Sequence, residues 1–480
     1  MENNATIIRE PPAPLGWKTS LWWLVVAVAS FHAAYASINH PAAGWLIFGF
    51  ALALVRLADQ PTVRRAFYFG LATAFLCYGP QLWFFFQIFS VAAAVLWLIL
   101  AFWVGLFTAM ACGCLRRWGL ARAAWLIPVI WTGLEYFRSE LYYFKFSWLN
   151  LGYGWPLGSA LFGMYGAGLF VFATATAFSC WRLIKLSVLK TLAIVAVLLV
   201  LFAATLPAVS GSKRPLTLST LSLVGIQMEF PPENVIPKLL NQALAKNPNA
   251  SIFVLSEYAL TGPVPVALKK WCREHSRFLV VGGEDPVVTG NGSNYYDTAF
   301  VVGTNGEIVF QQGKCVPIQF FRDGLPAPEQ KVWDSPWGKI GFCICYDLSY
   351  TRVTDELVRQ GAQLLIVPTM DVEDWGRHQH ELHTRVAPVR AAEYGLPIFR
   401  LASSGISQAV NAGGGLVAEA PMPGNGAFLA ADLRLRSLGR LPLDRFLAPL
   451  CTAITALVLA VLLFLAWKER AKQTNMTSTN

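Results

Sequence analysis

Three side chains able to run acyl-transfer chemistry stand at the ends of apolar segments. Cys345 closes the run Ile340-Gly341-Phe342-Cys343-Ile344, and a helical pattern opens at Asp347. A thiol at a strand-to-helix turn can be exposed near a helix N-terminus, which lowers its pKa and makes it nucleophilic. Glu257 follows the run Ile252–Ser256, and Lys314 follows Ile308–Gln312. A carboxylate can take the thiol proton. An ammonium, helped by the backbone N–H of Tyr346, can hold the oxyanion of a tetrahedral intermediate. The sulfur can then carry an acyl group as a thioester.

Taken singly, each signal has a plainer reading. A lone Glu or Lys at a strand end is usually a surface charge, and a buried cysteine is usually inert. The order of the three makes the combination specific. Cys343, on the same strand face as Cys345, and Cys315, beside Lys314, are rival nucleophiles, but no strand-to-helix turn follows Cys315. His380 and His383 share a helix face with no further ligand beside them, so these residues and His378 are read as structural or wall residues. No metal and no cofactor are expected.

These residues need a scaffold, and the pattern around them alternates strand and helix. Strands are expected at Leu221–Ile226, Ser251–Leu255, Phe278–Gly282, Tyr296–Val302, Ile308–Gln312, Ile340–Cys345, Leu364–Pro368 and Ile398–Ala402. Helices are expected at Val235–Lys246, Val266–His275, Thr351–Gln360 and His380–Tyr394. Gly303-Thr304-Asn305-Gly306 reads as a hairpin turn. Such alternation argues for an α/β sandwich.

The rest of the chain has a different composition. Of 480 residues, 55% are hydrophobic and 14% charged, against about 25% charged in soluble domains. Apolar stretches near spanning length fall at about 19–38, 41–57, 66–89, 91–114, 120–138, 160–181, 187–208 and 444–467. The first lacks a small-residue cleavage site and reads as a span, not a signal peptide. Basic clusters follow the even-numbered stretches: Arg56/Arg64/Arg65, Arg116/Arg117/Arg122, Arg182/Lys185/Lys190 and Lys468/Arg470/Lys472. That predicts eight spans with both termini cytoplasmic and the intervening domain outside. It also accounts for the net charge of +10 without nucleic acid. The expected division is a membrane domain of seven helices at 1–208, a catalytic domain at 209–440 after the linker Ser210–Pro215, and an eighth helix with a cytoplasmic tail at 441–480. Glu135 and Arg138 are expected to pair with each other or to snorkel. The aromatic-rich loop from Tyr142 to Trp155 reads either as an interfacial belt or as an outer loop meeting the mouth of the domain.

The Glu257–Lys314–Cys345 order, set in a domain between the seventh and eighth spans, resembles the membrane branch of the nitrilase (carbon–nitrogen hydrolase) superfamily, the apolipoprotein N-acyltransferases. Supporting stretches are Leu255-Ser256-Glu257-Tyr258-Ala259, Asn294–Ala299, Cys345-Tyr346-Asp347, Trp375, His378-Gln379-His380, Arg390–Pro397, and Arg400 with Ser403–Ser407. In the membrane part, Glu135–Arg138 and Phe146–Tyr153 are also similar to the family.

The resemblance implies a polytopic membrane bundle carrying an extracytoplasmic nitrilase-like αββα sandwich in the bacterial inner membrane. It implies a phospholipid acyl donor and an apolipoprotein acceptor, with Glu257, Lys314 and Cys345 catalytic and Tyr346, Asp347 and Trp375 supporting them. The chain departs from the family after Lys314, where Phe320 stands at the position of a family glutamate, and Asp347 stands where the family has glutamate. These departures keep open a membrane-tethered amidase, or a nitrilase-like TraB-type conjugal transfer protein with another acceptor.

Overall fold

The computed structural model describes residues 14–36, 41–181, 219–289, 292–436 and 438–477. The apolar stretch at 187–208 and the linker at 210–215 lie outside them.

The N-terminal part is helical: α1 (Trp17–Tyr35), α2 (Ile47–Leu57), α3 (Val63–Gln81), α4 (Phe84–Phe89), α5 (Ala93–Tyr136), α6 (Leu151–Gly154), α7 (Pro156–Phe162) and α8 (Met164–Trp181). α5 has 44 residues; at about 1.5 Å per residue it would be roughly twice the thickness of a bilayer core. Gly119 interrupts it with φ 73° and ψ 169°, a conformation glycine adopts without a Cβ clash. The expected stretches 91–114 and 120–138 lie on either side of that break.

Among the described residues, two helical stretches are long and apolar enough to cross a membrane, Phe84–Leu141 and Asp444–Thr474. A third is added if α7 and α8, bent by 107°, form one span. Among the described residues that criterion shows two or three of the eight expected spans, and the stretch at 187–208 lies outside them. α2 has 11 residues. Polar residues dilute the other two candidates, His32 in α1 and Arg64, Arg65 and Gln81 in α3.

Glu135 and Arg138 do not pair with each other. Both are buried, and the turn at 147–151 comes between them. Arg138 Nη2 donates to Asn150 Oδ1 at 2.7 Å, and Glu135 Oε1 accepts from the Leu151 amide at 2.9 Å.

The C-terminal part is a sandwich of two six-stranded sheets. One has the order β12-β1-β2-β3-β4-β5 and the other β11-β10-β9-β8-β7-β6. The strands are β1 (Thr220–Ile226), β2 (Ile252–Leu255), β3 (Phe278–Thr289), β4 (Gly292–Val302), β5 (Ile308–Gly313), β6 (Val332–Ser335), β7 (Gly338–Phe342), β8 (Leu364–Thr369), β9 (Ile398–Ala402), β10 (Ser407–Val410), β11 (Leu416–Ala420) and β12 (Phe428–Arg434). β1–β2–β3 and β7–β8–β9 are parallel, and the outer pairs are antiparallel.

Side chains alternate along each strand. Ile252 and Val254 enter the core between the sheets with Phe342, Ile366 and Leu401. Phe253 and Leu255 point the other way, under the helices α9 (Ile236–Lys246) and α10 (Val266–His275). The second sheet is covered by α11 (Thr351–Arg359), α12 (Arg377–Thr384) and α13 (Val386–Tyr394). This αββα arrangement is the expected one, except that the predicted helix at 380–394 is two helices.

The helix layer over the second sheet shares one continuous apolar cluster with the N-terminal helices. Leu357, Val386 and Val389 belong to the same cluster as Leu54, Phe107 and Trp131. Polar ties fix the register. Asp444, which opens the final helix α14 (Asp444–Thr477), accepts from the Tyr165 and Gly166 amides at the start of α8. Glu140 accepts from the amide and hydroxyl of Thr351 at 3.0 and 2.8 Å. The sandwich is therefore seated on the helices by an apolar core and by buried charges.

Candidate active site

Glu257 and Lys314 leave the ends of β2 and β5 in one sheet, while Cys345 follows β7 in the other. The edge where the two sheets open brings them together. Lys314 Nζ lies 2.6 Å from Glu257 Oε1, 2.8 Å from Asp323 Oδ2 and 3.4 Å from Asp297 Oδ2. The oxygens of these three acids lie within 4.8 Å of one another, a grouping that could hold a metal ion. The Lys314 ammonium already sits among them as the cation.

The electrostatics follow from that crowding. Burial works against the Glu257 charge, but Lys314 and hydrogen bonds from Asp297 and Cys345 outweigh it, so its pKa falls below the usual value. Burial and the neighbouring Glu257 push Asp297 well above the carboxylate range, so it stays protonated. Burial opposes the Lys314 charge too, yet Glu257, Asp323 and Asp297 raise it well above its ordinary value.

The strand into Cys345 ends sooner than expected, at Phe342, and a short 3-10 turn begins at Cys345 itself. Cys345 has φ 48°, a left-handed conformation costing about 1–3 kcal/mol for a non-glycine residue. Its Sγ lies 3.6 Å from the Met370 carbonyl. The lowered thiol pKa expected from a helix N-terminus is not found. The thiol is buried, and burial together with Glu257 pushes its pKa well up; Lys314 only partly opposes this. The resting sulfur is a thiol that needs a base, and Glu257 is beside it. The Tyr346 amide opens the 3-10 turn, where no intrahelical acceptor exists.

Cys343 does not share a face with Cys345. It packs with Leu365 and Val367 in the cluster facing the helices, whereas Cys345 lies in the core between the sheets. Burial and the adjacent Asp347 push Cys315 up to about 12.

Asp347 clips the two active loops together. It accepts from the Val316 amide at 2.8 Å, the Cys315 amide at 3.1 Å and the Ile344 amide at 3.3 Å. Burial pushes its pKa up to about 6 against those N–H bonds. Glu257 Oε2 accepts from the Met370 amide, so Met370 touches both Glu257 and Cys345 through its backbone.

A cavity of about 310 Å³ opens onto this centre. Cys345, Tyr346, Met370 and Trp375 line it from the sandwich, and Phe84, Phe85, Ile88 and Leu100 line it from the helices. The aromatic loop reaches it too. Trp148 Nε1 donates to Ser349 Oγ at 3.0 Å, the Tyr346 hydroxyl donates to the Lys145 carbonyl at 3.0 Å, and Phe144 stacks on Phe320 at 5.6 Å. Of the two readings of that loop, the one that meets the domain mouth describes this geometry. Trp375 packs edge-on to Phe321 at 6.1 Å.

Sequence reasoning missed Asp297, Asp323 and Asp371 as site residues. Asp297 carried a usable signal, since an acid inside the apolar strand Tyr296–Val302 must find a buried partner. Asp323 carried none. His380 and His383 both face Asp371: His383 Nδ1 meets Oδ1 at 2.7 Å, while His380 Nδ1 lies 4.0 Å from Oδ2, and neither His380 ring nitrogen has a hydrogen-bond partner among the described residues.

Residues 221–440 match the carbon–nitrogen hydrolase family, so the sandwich is of that class. Residues 25–177 match the apolipoprotein N-acyltransferase N-terminal domain. Carrying both, the chain belongs to the apolipoprotein N-acyltransferase family. It is 23% identical over 454 residues to the apolipoprotein N-acyltransferase of Geobacter metallireducens, a match covering 79% of this chain and 82% of that protein. Matches to the deaminated glutathione amidase of Dictyostelium discoideum (28% identity, 22% of this chain) and the apolipoprotein N-acyltransferase of Bdellovibrio bacteriovorus (24% identity, 38% of this chain) span only 41% and 40% of those proteins. A carbon–nitrogen hydrolase crystal structure from Helicobacter pylori G27 is similar at 18% identity and TM-score 0.40, covering 45% of this chain and 89% of that one.

Proposed function

We propose that this protein moves a fatty acyl chain from a membrane phospholipid, through a thioester on Cys345, to the N-terminal amine of a diacylglyceryl-cysteine lipoprotein. One observation carries the reading: the nucleophile opens into an apolar cavity whose far wall is built from helices apolar enough to lie in a bilayer. A small-amide hydrolase has no use for such a wall, whereas a lipid tail does.

Cys345 attacks the donor ester while Glu257 takes the thiol proton and passes it to the departing alkoxide. Lys314 and the Tyr346 amide hold the oxyanion. Asp347 keeps the two loops in register, and Trp375 walls the site. The amine then attacks the thioester. The basic clusters and the eight apolar stretches favour an inner-membrane protein with eight spans, both termini cytoplasmic and the 209–440 domain outside.

The test is complementation of a strain depleted of its own N-acyltransferase, with lipoprotein N-termini read by mass spectrometry. Restored N-acylation is expected from the native chain and none from Cys345→Ala. Growth or N-acylation restored by Cys345→Ala would refute the reading. The amidase alternative draws on the likeness of the sandwich to a glutathione-type amidase. It predicts ammonia release from small amides without lipid.

A further inference from the structure

Proton accounting for the proposed reaction leaves one proton without a home. In the first half, a thiol and an ester give a thioester and an alcohol, and Glu257 can carry the thiol proton across. In the second half the acceptor enters as an ammonium ion, since an α-amine titrates near pH 8. Its nitrogen must lose one proton before its lone pair can attack. It loses another when the C–S bond breaks with its electron pair on sulfur. Glu257 can return the second to Sγ. The first cannot stay in the centre: Lys314 is already an ammonium and Asp297 already holds a proton.

The wall of the same cavity carries a group the mechanism has not used. Gln379 and His383 lie four residues apart on α12 and both line the cavity with Cys345. Gln379 Nε2 donates to Asp371 Oδ1 at 3.2 Å, which fixes the amide orientation. The other end, Oε1, is buried without a hydrogen-bond partner. His383 Nδ1 lies 2.7 Å from Asp371 Oδ1, and its ring stacks on Trp148 at 4.6 Å. Burial opposes the Asp371 charge, but the Arg400 guanidinium on Oδ2 and the hydrogen bond from His383 hold its pKa well below the usual value, so it is ionised. Nδ1 faces both the Asp371 carboxylate at 2.7 Å and Arg400 Nη2 at 2.9 Å; the shorter contact, to an acceptor-only carboxylate, assigns the hydrogen to Nδ1 and leaves the lone pair on Nε2. The charged and titratable groups facing this ring are Asp371, Arg400 and His380; burial and Arg400 keep the ring neutral against the pull of Asp371. Asp371 directly follows Met370, whose backbone touches Glu257 and Cys345.

We propose that Gln379 Oε1 and His383 Nε2 seat the ammonium group of the acceptor, and that His383 takes the proton the ammonium sheds before attacking the Cys345 thioester. This rests on the acyl-transfer reading above. The balance closes: thioester plus R–NH3⁺ gives amide, thiol and one H⁺, which leaves on His383 and passes to solvent.

The test loads full-length enzyme with acyl groups from phosphatidylethanolamine and chases the adduct by intact mass. One chase uses a diacylglyceryl-cysteine peptide, and the other uses hydroxylamine, which is already unprotonated at neutral pH. His383→Gln should slow the peptide chase about 100-fold at pH 7, the scale of one general base. That deficit should shrink as pH rises past about 8, and the hydroxylamine chase should stay within about threefold of wild type. Gln379→Met, a milder change, should raise the peptide KM with little effect on the hydroxylamine chase. Equal slowing of both chases by His383→Gln, or a pH-independent deficit, overturns the proposal, as does a Gln379→Met variant with unchanged peptide KM. A wild-type adduct that the peptide cannot discharge, while hydroxylamine can, overturns the amine-acceptor reading itself and this inference with it.

Discussion

Replacing Glu257 by glutamine removes one of the two ionised carboxylates around the Lys314 ammonium. A buried charge stripped of its partner ordinarily costs about 3–5 kcal/mol. Here a replacement stands ready. Asp297 lies 3.4 Å from Nζ and keeps its proton because of burial and the Glu257 charge. Without that charge it can ionise and take over. Glu257→Gln should therefore cost only about 1–2 kcal/mol, an apparent Tm drop of about 2–8 °C for a domain of this size. Asp297→Asn exchanges one neutral group for another and should cost less than about 1 kcal/mol. The double variant leaves Asp323 as the single counter-charge and should lose about 3–5 kcal/mol. At the centre of these ranges the two substitutions couple by about 2 kcal/mol, beyond the scatter expected of independent sites. Thermal unfolding of the four proteins in one detergent measures this. Additivity within about 0.5 kcal/mol, or a full 3–5 kcal/mol loss from Glu257→Gln alone, would refute the charge assignment. Acylation by Glu257→Gln should fall about 10²–10⁴-fold although the protein stays folded.

Other expectations follow from the same geometry. Asp347→Ala strands the Cys315, Val316 and Ile344 amides and should cost about 2–4 kcal/mol, seen as a lower melting temperature and faster proteolysis between residues 315 and 323. Glu257, with its pKa lowered in the fold, contributes stability that is present above its unfolded pKa of about 4.3 and is lost as pH falls through the lower folded value. Acid titration of stability should accordingly be shallower below about pH 4 in the Glu257→Gln, Asp297→Asn double variant, where Asp297 cannot replace the lost charge, than in wild type. Phe320 is 64% exposed and touches Phe144 and Phe89 at the cavity mouth. Phe320→Ala should leave stability within about 0.5 kcal/mol while raising the KM for a long-chain donor, measured in mixed micelles.

The sandwich was legible because its central strands are short apolar runs punctuated by turn residues. β2, β5, β8 and β9 lie within a residue of where the sequence puts them. β10, β11 and β12 were not found: Ser407–Val410 is too short and mixed, and Leu416–Ala420 lies largely exposed, so neither carries a clear period of two. Glu257, Lys314 and Cys345 were readable because strand ends project side chains toward one edge. What surrounds them was not. Asp323 reaches Lys314 from a loop in which Phe320 has φ 70°, a path no local preference predicts. The sign of the Cys345 shift was misread because local sequence shows the turn but not the burial. The single helix expected over 380–394 breaks at Arg385, whose side chain is drawn to the Tyr35 carbonyl at the end of α1, a tertiary contact invisible in the periodicity.

The central claim is that Cys345 carries the acyl group. Purified full-length protein incubated with phosphatidylethanolamine, digested and analysed by mass spectrometry tests it most directly. The account predicts one hydroxylamine-sensitive fatty-acyl adduct on the peptide bearing Cys345, lost in Cys345→Ala and strongly reduced in Glu257→Gln. An adduct on Cys315 or Cys343 instead, or no adduct on wild-type protein that is folded and lipid-bound, would contradict it.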